Sequence, residues 1–352
     1  MRCIALMNQK GGVGKTTTTV NLGAALAELG QRVCLVDLDP QAHLTINYGL
    51  EPTADVVSLY NVLIEERSFL EAVHKIDTNI ALVPSSIDLA AAEIELVSVL
   101  GRETILRERL KSAQHDFDFI LLDCPPSLGL LTINALAVAT EVLIPMQPHF
   151  LALQGVGKLL ETVALVSRRM NPLLKVSGIV LTMFDSQTKL SNEVVNDLNG
   201  FIESAKGKPL PWANAKIFES KIRRNIKLAE SPSFGQTILK YEPQSHGAID
   251  YRALAREVLA YVPGQAPPAP AIRPQPISQP VAIPRAPAVV SKLPAATPPP
   301  PVTVTVKPID EKKVSVATKP IDQRKLVAAK VRIPPKPAPT PPITAAEIEA
   351  LT

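Results

Sequence analysis

The 89 residues from Gly264 to Thr352 contain no aromatic side chain, since all 14 Phe, Trp and Tyr of this 352-residue chain lie at or before Tyr261. Ala, Val, Ile and Pro fill that tail, but nothing large can anchor a core there, so only the front of the chain is expected to fold. Proline divides the chain at the same place, with 13 of its 34 copies in the first 263 residues and 21 beyond. Cysteine is scarce: Cys3, Cys34 and Cys124 sit singly in apolar stretches, without CxxC or Cys/His spacing. That excludes a readable disulfide framework or zinc site and predicts reduced, buried thiols. Long apolar runs are also missing, because Cys3–Met7 is too short for a signal segment and no later run approaches the ~18 residues of a membrane span. A cytoplasmic protein without membrane contact is expected. Bulk positive charge is absent from the body, which carries 25 Lys plus Arg against 28 Asp plus Glu, while the tail carries 12 against 5. The formal +4 is therefore a body of −3 joined to a tail of +7. This excludes a histone-like binder and confines any nucleic-acid contact of the body to a local patch.

What is present alternates. Cys3–Met7, Arg32–Leu38, Ile80–Val83, Phe117–Leu122, Glu141–Met146 and Val176–Met183 are short β-rich apolar runs. Helical spacing holds over Thr16–Leu29, Asp88–Ala113, Leu131–Ala139, Gln154–Arg169 and Asn192–Ser204. Continuous apolar strands separated by helices predict a doubly wound, mostly parallel α/β sheet covered on both faces. Ligands of such sheets bind at the carboxyl ends of the strands.

The first strand runs into Gln9-Lys10-Gly11-Gly12-Val13-Gly14-Lys15-Thr16-Thr17 and then a helix. Glycines let backbone N–H groups converge on phosphate oxygens, and the helix start favours the anion. Lys15 can reach the β and γ oxygens of a nucleotide, and Thr16 can ligate Mg²⁺. Two further carboxylate segments, Val36-Asp37-Leu38-Asp39-Pro40-Gln41 and Leu122-Asp123-Cys124-Pro125-Pro126, end the second and fourth of the strands read above. Alone, each Asp could be a turn residue or a helix cap. Beside a phosphate loop, each is placed to hold a Mg²⁺ shell or position attacking water. Asp37, two residues from Asp39, is expected to support it.

The loop departs from the strict G-x-x-x-x-G-K-[ST] pattern, with Gln9 in place of the first glycine and Lys10 before the glycine pair. In this form KGGVGKTT resembles the deviant Walker A box of the ParA/Soj/MinD family of ATPases, and DLDPQ and LLDCPPS resemble its next two boxes. The resemblance continues through Ala92–Leu96, Leu181–Asp185, Arg224-Asn225, Glu230–Ser233 and Ser245–Ala248, and so covers about residues 1–262. It implies a P-loop NTPase fold, ATP and Mg²⁺ as cofactors, and ATP hydrolysis with weak intrinsic turnover. By it, Lys10, Lys15 and Asp39 are catalytic, with Lys10 crossing to the nucleotide of the other subunit. Residues Lys10, Gly11, Gly12, Val13, Gly14, Lys15, Thr16, Thr17 and Asn225 bind the nucleotide, and Thr16, Asp39 and Asp123 serve the metal. It also implies an ATP-dependent homodimer, nonspecific double-stranded DNA, a ParB-like centromere-binding partner, and a nucleoid-associated role in chromosome or plasmid partition. Two positions depart from the family: Gln187 stands where an arginine is usual, and Ile222-Arg223-Arg224-Asn225 replaces Ile-Pro-Arg-Asn.

Lys221–Lys227 packs four positive charges into seven residues, and Arg223, Arg224 and Lys227 are the candidate DNA contacts. No helix-turn-helix pattern or aromatic platform accompanies them, so base-specific reading is not expected. Three regions follow: an ATPase body at 1–263, a basic Pro/Ala-rich linker at 264–343 and a short terminal helix at 344–352, where Thr344 and Glu347 have capping-box spacing. The linker repeats Lys307-Pro308-Ile309-Asp310 as Lys319-Pro320-Ile321-Asp322, and docking to a partner or weak DNA contact are its other readings. The alternative function is a MinD-like or cargo-positioning ATPase acting on a membrane or protein assembly. The acidic Glu347 and Glu349 oppose a basic membrane helix. A redox enzyme on the same scaffold would need cluster-binding cysteines at exposed positions, whereas Cys3 and Cys34 fall in predicted strands.

Overall fold

A computed structural model describes residues 1–261 apart from 54, 150 and 151. The expected linker at 264–343 and terminal helix at 344–352 lie outside the described residues. Eight strands form one sheet: β1 (Arg2–Leu6), β2 (Val33–Asp37), β3 (His74–Asp77), β4 (Ile80–Val83), β5 (Phe119–Asp123), β6 (Glu141–Met146), β7 (Lys175–Leu181) and β8 (Lys216–Ile217). Their order is β3-β4-β2-β5-β1-β6-β7-β8, parallel throughout except for β3, which pairs antiparallel with β4. The expected doubly wound architecture is therefore present.

Strand alternation decides which helix covers which face. Cys3, Ala5, Cys34 and Val36 point into one core, while Ile4, Leu6, Val33 and Leu35 point into the other. The first core is closed by α3 (Leu59–Leu63), α4 (Leu89–Glu95), α5 (Ile105–Leu110), α6 (Leu130–Val138), α7 (Ala152–Arg169) and α8 (Lys189–Ala205). The second is closed by α1 (Lys15–Glu28), α2 (His43–Asn47), α9 (Ile226–Glu230), α10 (Ile238–Tyr241) and α11 (His246–Ala260). Both faces being dry explains why the central strands read as unbroken apolar runs. At their amino ends lies a buried charge: Glu141, at the start of β6, receives a two-pronged ion pair from Arg2 at 2.7 and 2.8 Å. Arg2 also donates to the Val258 carbonyl at 2.6 Å, which ties β1, β6 and α11 together.

Three expectations change. The single helix at Asp88–Ala113 is two, α4 and α5, separated by a turn in which Val99 is extended and Gly101 takes φ 71°, a left-handed conformation that keeps the chain out of the helix. Two edge strands carry too little apolar pattern to read: β3 is half exposed and β8 has two residues. Because β3 exists, Asp123 ends the fifth strand of the chain, not the fourth. All three cysteines are buried and unpaired, as expected.

The β7–β8 edge rests on one glycine. A Cβ on Gly178 would stand 2.2 Å from the Lys216 carbonyl oxygen and 2.9 Å from the Phe218 ring, and a backbone atom cannot swing away. Gly178→Ala should destabilise the fold by roughly 1–3 kcal/mol, seen as a fall of several degrees in the thermal midpoint. An unchanged midpoint would show that this edge is not held by that contact.

Candidate functional site

The loop between β1 and α1 occupies the carboxyl edge of the sheet. Gly12 and Gly14 have φ 72° and 82°, where other residues are strained, and this curls the backbone around the start of α1. No side chain caps α1, whose first helical bond is Thr18 N–H to the Gly14 carbonyl at 2.9 Å. The N–H groups of its first turn thus have no helical acceptor, and with the helix dipole they make an anion site. Three ties hold the loop in place. Thr182 Oγ1, just past β7, donates to the Val13 carbonyl at 2.7 Å. Asn8 Nδ2 donates to the Pro145 carbonyl at 2.9 Å, and Asn8 Oδ1 accepts from Lys10 N–H at 3.0 Å. Lys15 is buried to 8% exposure, its Nζ 3.4 Å from the Lys10 carbonyl. Burial lowers its pKa, while Asp123 and Asp39 act to raise it. Lys10 turns the other way, with its Nζ against His149 Nε2 in the loop after β6.

Asp37 and Asp123 end neighbouring strands in direct register. Both are buried, and burial raises both pKa values, with Asp123 raising that of Asp37 further. Their surroundings differ. Asp37 accepts from Thr45 N–H at 2.9 Å, Thr45 Oγ1 at 2.7 Å and Asp39 N–H at 3.2 Å. Asp123 Oδ1 accepts from Thr19 Oγ1 at 3.0 Å, while Asp123 Oδ2 is buried with no hydrogen-bond partner among the described residues. Asp39 lies two residues past the end of β2 and is half-buried, with Oδ1 accepting from Gln41 N–H at 3.0 Å. The expected support from Asp37 is thus a backbone contact, not a shared strand face.

Asn225 caps α9, its Oδ1 accepting from Lys227 N–H at 2.8 Å, and lines a cavity of about 320 Å³ that opens beside Gly14 and Thr17. Met183, held at φ 47°, and Tyr251 line it as well. The basic segment forms its outer wall, and its charges are unequal. Arg223 makes a two-pronged pair with Asp250 at 2.6 and 3.0 Å, and Lys227 pairs with Glu230 at 2.8 Å. Lys221 Nζ lies over the Phe184 ring at 4.4 Å. Arg224 is exposed and makes no ion pair among the described residues. Gln187 stands on an exposed turn.

The structure thus brings residues 10–17, Asp123, Asp39 and Asn225 to one sheet edge. Sequence reading missed Thr19, Thr182, Thr45, Ser85 and His149. Thr19 and Thr182 carried a usable signal, one lying a helical turn past Lys15 and the other directly following a strand.

Comparison with known proteins agrees with this geometry. Residues 1–176 match the family model for an AAA domain. The chain is 42% identical over 260 residues to the sporulation initiation inhibitor protein Soj of Bacillus subtilis, covering 74% of this chain and 98% of that one. It is also 42% identical over 259 residues to the chromosome partitioning protein ParA of Myxococcus xanthus, covering 73% and 88%. Among solved structures, cobyrinic acid a,c-diamide synthase from Mycobacterium smegmatis with bound ATP analog and magnesium superposes with a TM-score of 0.62 at 39% identity, covering 74% of this chain and 94% of that one. A glycine-curled loop at an uncapped helix, a half-satisfied buried aspartate beside it, and these identities across the whole length of Soj have one common source: the chain belongs to the ParA/MinD family of P-loop ATPases, on its ParA/Soj side.

Proposed function

We propose that the chain is an ATP-dependent switch of chromosome or plasmid partition, which binds ATP with Mg²⁺, dimerises, holds DNA without regard to sequence, and is reset by hydrolysis. The observation that carries this reading is Asp123 Oδ2, a buried carboxylate oxygen that accepts no hydrogen bond in the geometry of the described residues, on a side chain whose pKa burial raises and the neighbouring Thr16, Thr19 and Lys15 act to lower. A hard cation with phosphate and water ligands suits that donor set, because Mg²⁺ takes few protein oxygens. Thr16 and Asp123 would hold it, with Asp39 near its shell, and when bound it neutralises charge on the transferring phosphoryl group. Gly11 to Thr17 cradle the phosphates by backbone N–H groups, and Lys15 supplies charge in the ground state. The cavity at Asn225 adjoins Gly14 and suits the nucleoside. Asp39 is half-exposed, as a residue orienting water must be.

Lys10 is the candidate for a cross-subunit role, and its contact with His149 of its own chain must open before it can leave. For DNA, Arg224 is the strongest member of the basic segment, since Arg223 and Lys227 already have carboxylate partners. A ParB-like protein is the expected stimulating partner, and the nucleoid the expected place of action. The body would end near residue 263, with the basic stretch at 264–343 as its linker and 344–352 as its terminal helix. A MinD-like membrane role is the second reading; the acidic Glu347 and Glu349 do not match the basic face that a membrane-surface helix carries.

Lys15→Ala should abolish ATP binding. Asp39→Ala should leave binding intact while lowering turnover at least about a hundredfold, since one serves ground-state phosphates and the other the attacking water. Equilibrium binding of a fluorescent ATP analogue and phosphate release measure the two; wild-type turnover in Asp39→Ala would remove its assigned role.

The two arginines should separate cleanly. Arg224→Ala should flatten the salt dependence of ATP-dependent duplex binding by up to about two log–log units per dimer, at unchanged thermal stability. Arg223→Ala should lower the thermal midpoint, because it strands Asp250, whose side chain is 9% exposed. Binding titrations at several salt concentrations, with thermal melts, decide this; an unaltered slope in Arg224→Ala excludes a phosphate contact there.

A further inference from the structure

The carbonyl of Val13 has one partner among the described residues, the hydroxyl of Thr182, which is buried to 2% exposure and donates to it at 2.7 Å. No backbone N–H among those residues reaches that carbonyl, because α1 begins its helical bonding one residue later, from Thr18 N–H to Gly14. The donor is rigidly placed. Thr182 N–H donates to the Met146 carbonyl at 2.9 Å, Ile222 N–H to Leu181 at 2.8 Å and Phe184 N–H to Ile222 at 2.9 Å. Between these fixed points Met183 is held at φ 47°, a conformation that a residue with a side chain keeps only where its surroundings over-determine it.

A peptide unit is planar and trans, so its carbonyl and its N–H point in opposite directions. Fixing the Val13 carbonyl toward Thr182 therefore turns the Gly14 N–H away from Thr182. That N–H donates to no group among the described residues, and it adjoins the free N–H groups in the first turn of α1. The reverse orientation would replace a donor by a carbonyl oxygen at an anion site, where it repels. Little else prevents that reversal, since rotating a peptide alters mainly ψ of its first residue and φ of its second. Here the second is Gly14, at φ 82°, and glycine accepts φ of either sign.

We propose that Thr182 is a positioning residue of the nucleotide site, whose hydroxyl locks the Val13–Gly14 peptide with its N–H turned to the phosphate. Without that hydroxyl the peptide populates the reversed, anion-repelling orientation as well. The lock also keeps the loop in register with the cavity beside Asn225, because Gly14, Thr182 and Met183 line one wall of it.

The lock belongs to the ligand-free chain, and only its effect on affinity rests on the nucleotide reading above. Val13-Gly14 and Val156-Gly157 are the two Val-Gly steps of the sequence, so chain labelled with carbonyl-¹³C valine and ¹⁵N glycine gives two cross-peaks in a carbonyl-to-amide NMR correlation. Thr182→Val keeps the branched shape and removes the donor. It should displace the Val13-Gly14 peak and leave Val156-Gly157 in place, whereas Thr182→Ser, which keeps the donor, should leave both where they are. Titration with ADP and Mg²⁺ should show affinity about tenfold weaker in Thr182→Val and within about twofold of wild type in Thr182→Ser. Thr182→Ala carries the same expectation as valine should the valine chain fail to fold. An unmoved Val13-Gly14 peak in Thr182→Val, wild-type affinity beside a displaced peak, or a serine chain as weak as the valine one would each overturn the proposal. A wild-type chain that binds no ADP would sink the nucleotide reading instead, and the peak position alone would then decide the lock.

Discussion

Two carboxylates side by side at the dry end of a parallel sheet cannot both be charged without compensation, and Asp37 and Asp123 are placed that way by the register of β2 and β5. The protein resolves the conflict unequally. Asp37 receives three hydrogen bonds, from Thr45 and the backbone of Asp39, and so becomes a structural anchor. Asp123 is left with one oxygen unserved. On the proposed reading the unserved oxygen is the one that meets the metal, because a buried carboxylate with no hydrogen-bond partner among the described residues gains most from a cation arriving with its ligand. The uncapped start of α1 is the same device with opposite sign: N–H groups without acceptors await an anion. Phosphate and cation sites are thus both made of deliberately incomplete hydrogen bonding, which the surrounding helices hold in place.

That incompleteness is linked to the surface through polar contacts that bypass the hydrophobic core. Asp37 fixes Thr45, the Thr45 hydroxyl accepts from Ser85 N–H at 2.9 Å, and Ser85 returns to the carbonyl of Asp39. A shift of Asp39 toward a nucleotide must therefore move Ser85 and the start of α4, or break a buried hydrogen bond at a cost of about 1–3 kcal/mol. Switch behaviour needs such a coupled element more than it needs flexibility.

How much of this could be read from residues alone depended on whether the signal was local. The glycine loop with Lys15, Asp39 and Asp123 announce themselves because each stands at or just beyond the carboxyl end of an apolar strand, and those strands betray a sheet covered on both sides. The edges did not, since β3 alternates charge with Ile76 and β8 is two residues long. The helix that the apolar spacing of 88–113 would have continued stops at Glu95, and extended Val99 and left-handed Gly101 then turn the chain, which is a property of the turn and not of hydrophobic period. Asp250 and His149 could not be paired with Arg223 and Lys10 from spacing, because those pairs join separate elements, whereas Lys227 and Glu230 stand three residues apart on one helix.

The basic segment shows why that last gap matters for function. Four positive charges in seven residues look like one patch, yet a charge already paired with a carboxylate releases few counterions when DNA arrives, because its field is largely cancelled beforehand. Arg223 serves the fold, where its two-pronged pair keeps Asp250 from standing alone and clamps the cavity wall to α11. Lys227 closes a helical turn with Glu230. The cluster is thereby reduced to Arg224, with Lys221 half-buried over the Phe184 ring, while the rest of the chain's unbalanced positive charge lies beyond residue 263. Net charge along a sequence measures attraction to polyanions only after the internal pairs have been subtracted, and here the subtraction shifts weight from a patch of four to one arginine and a tail.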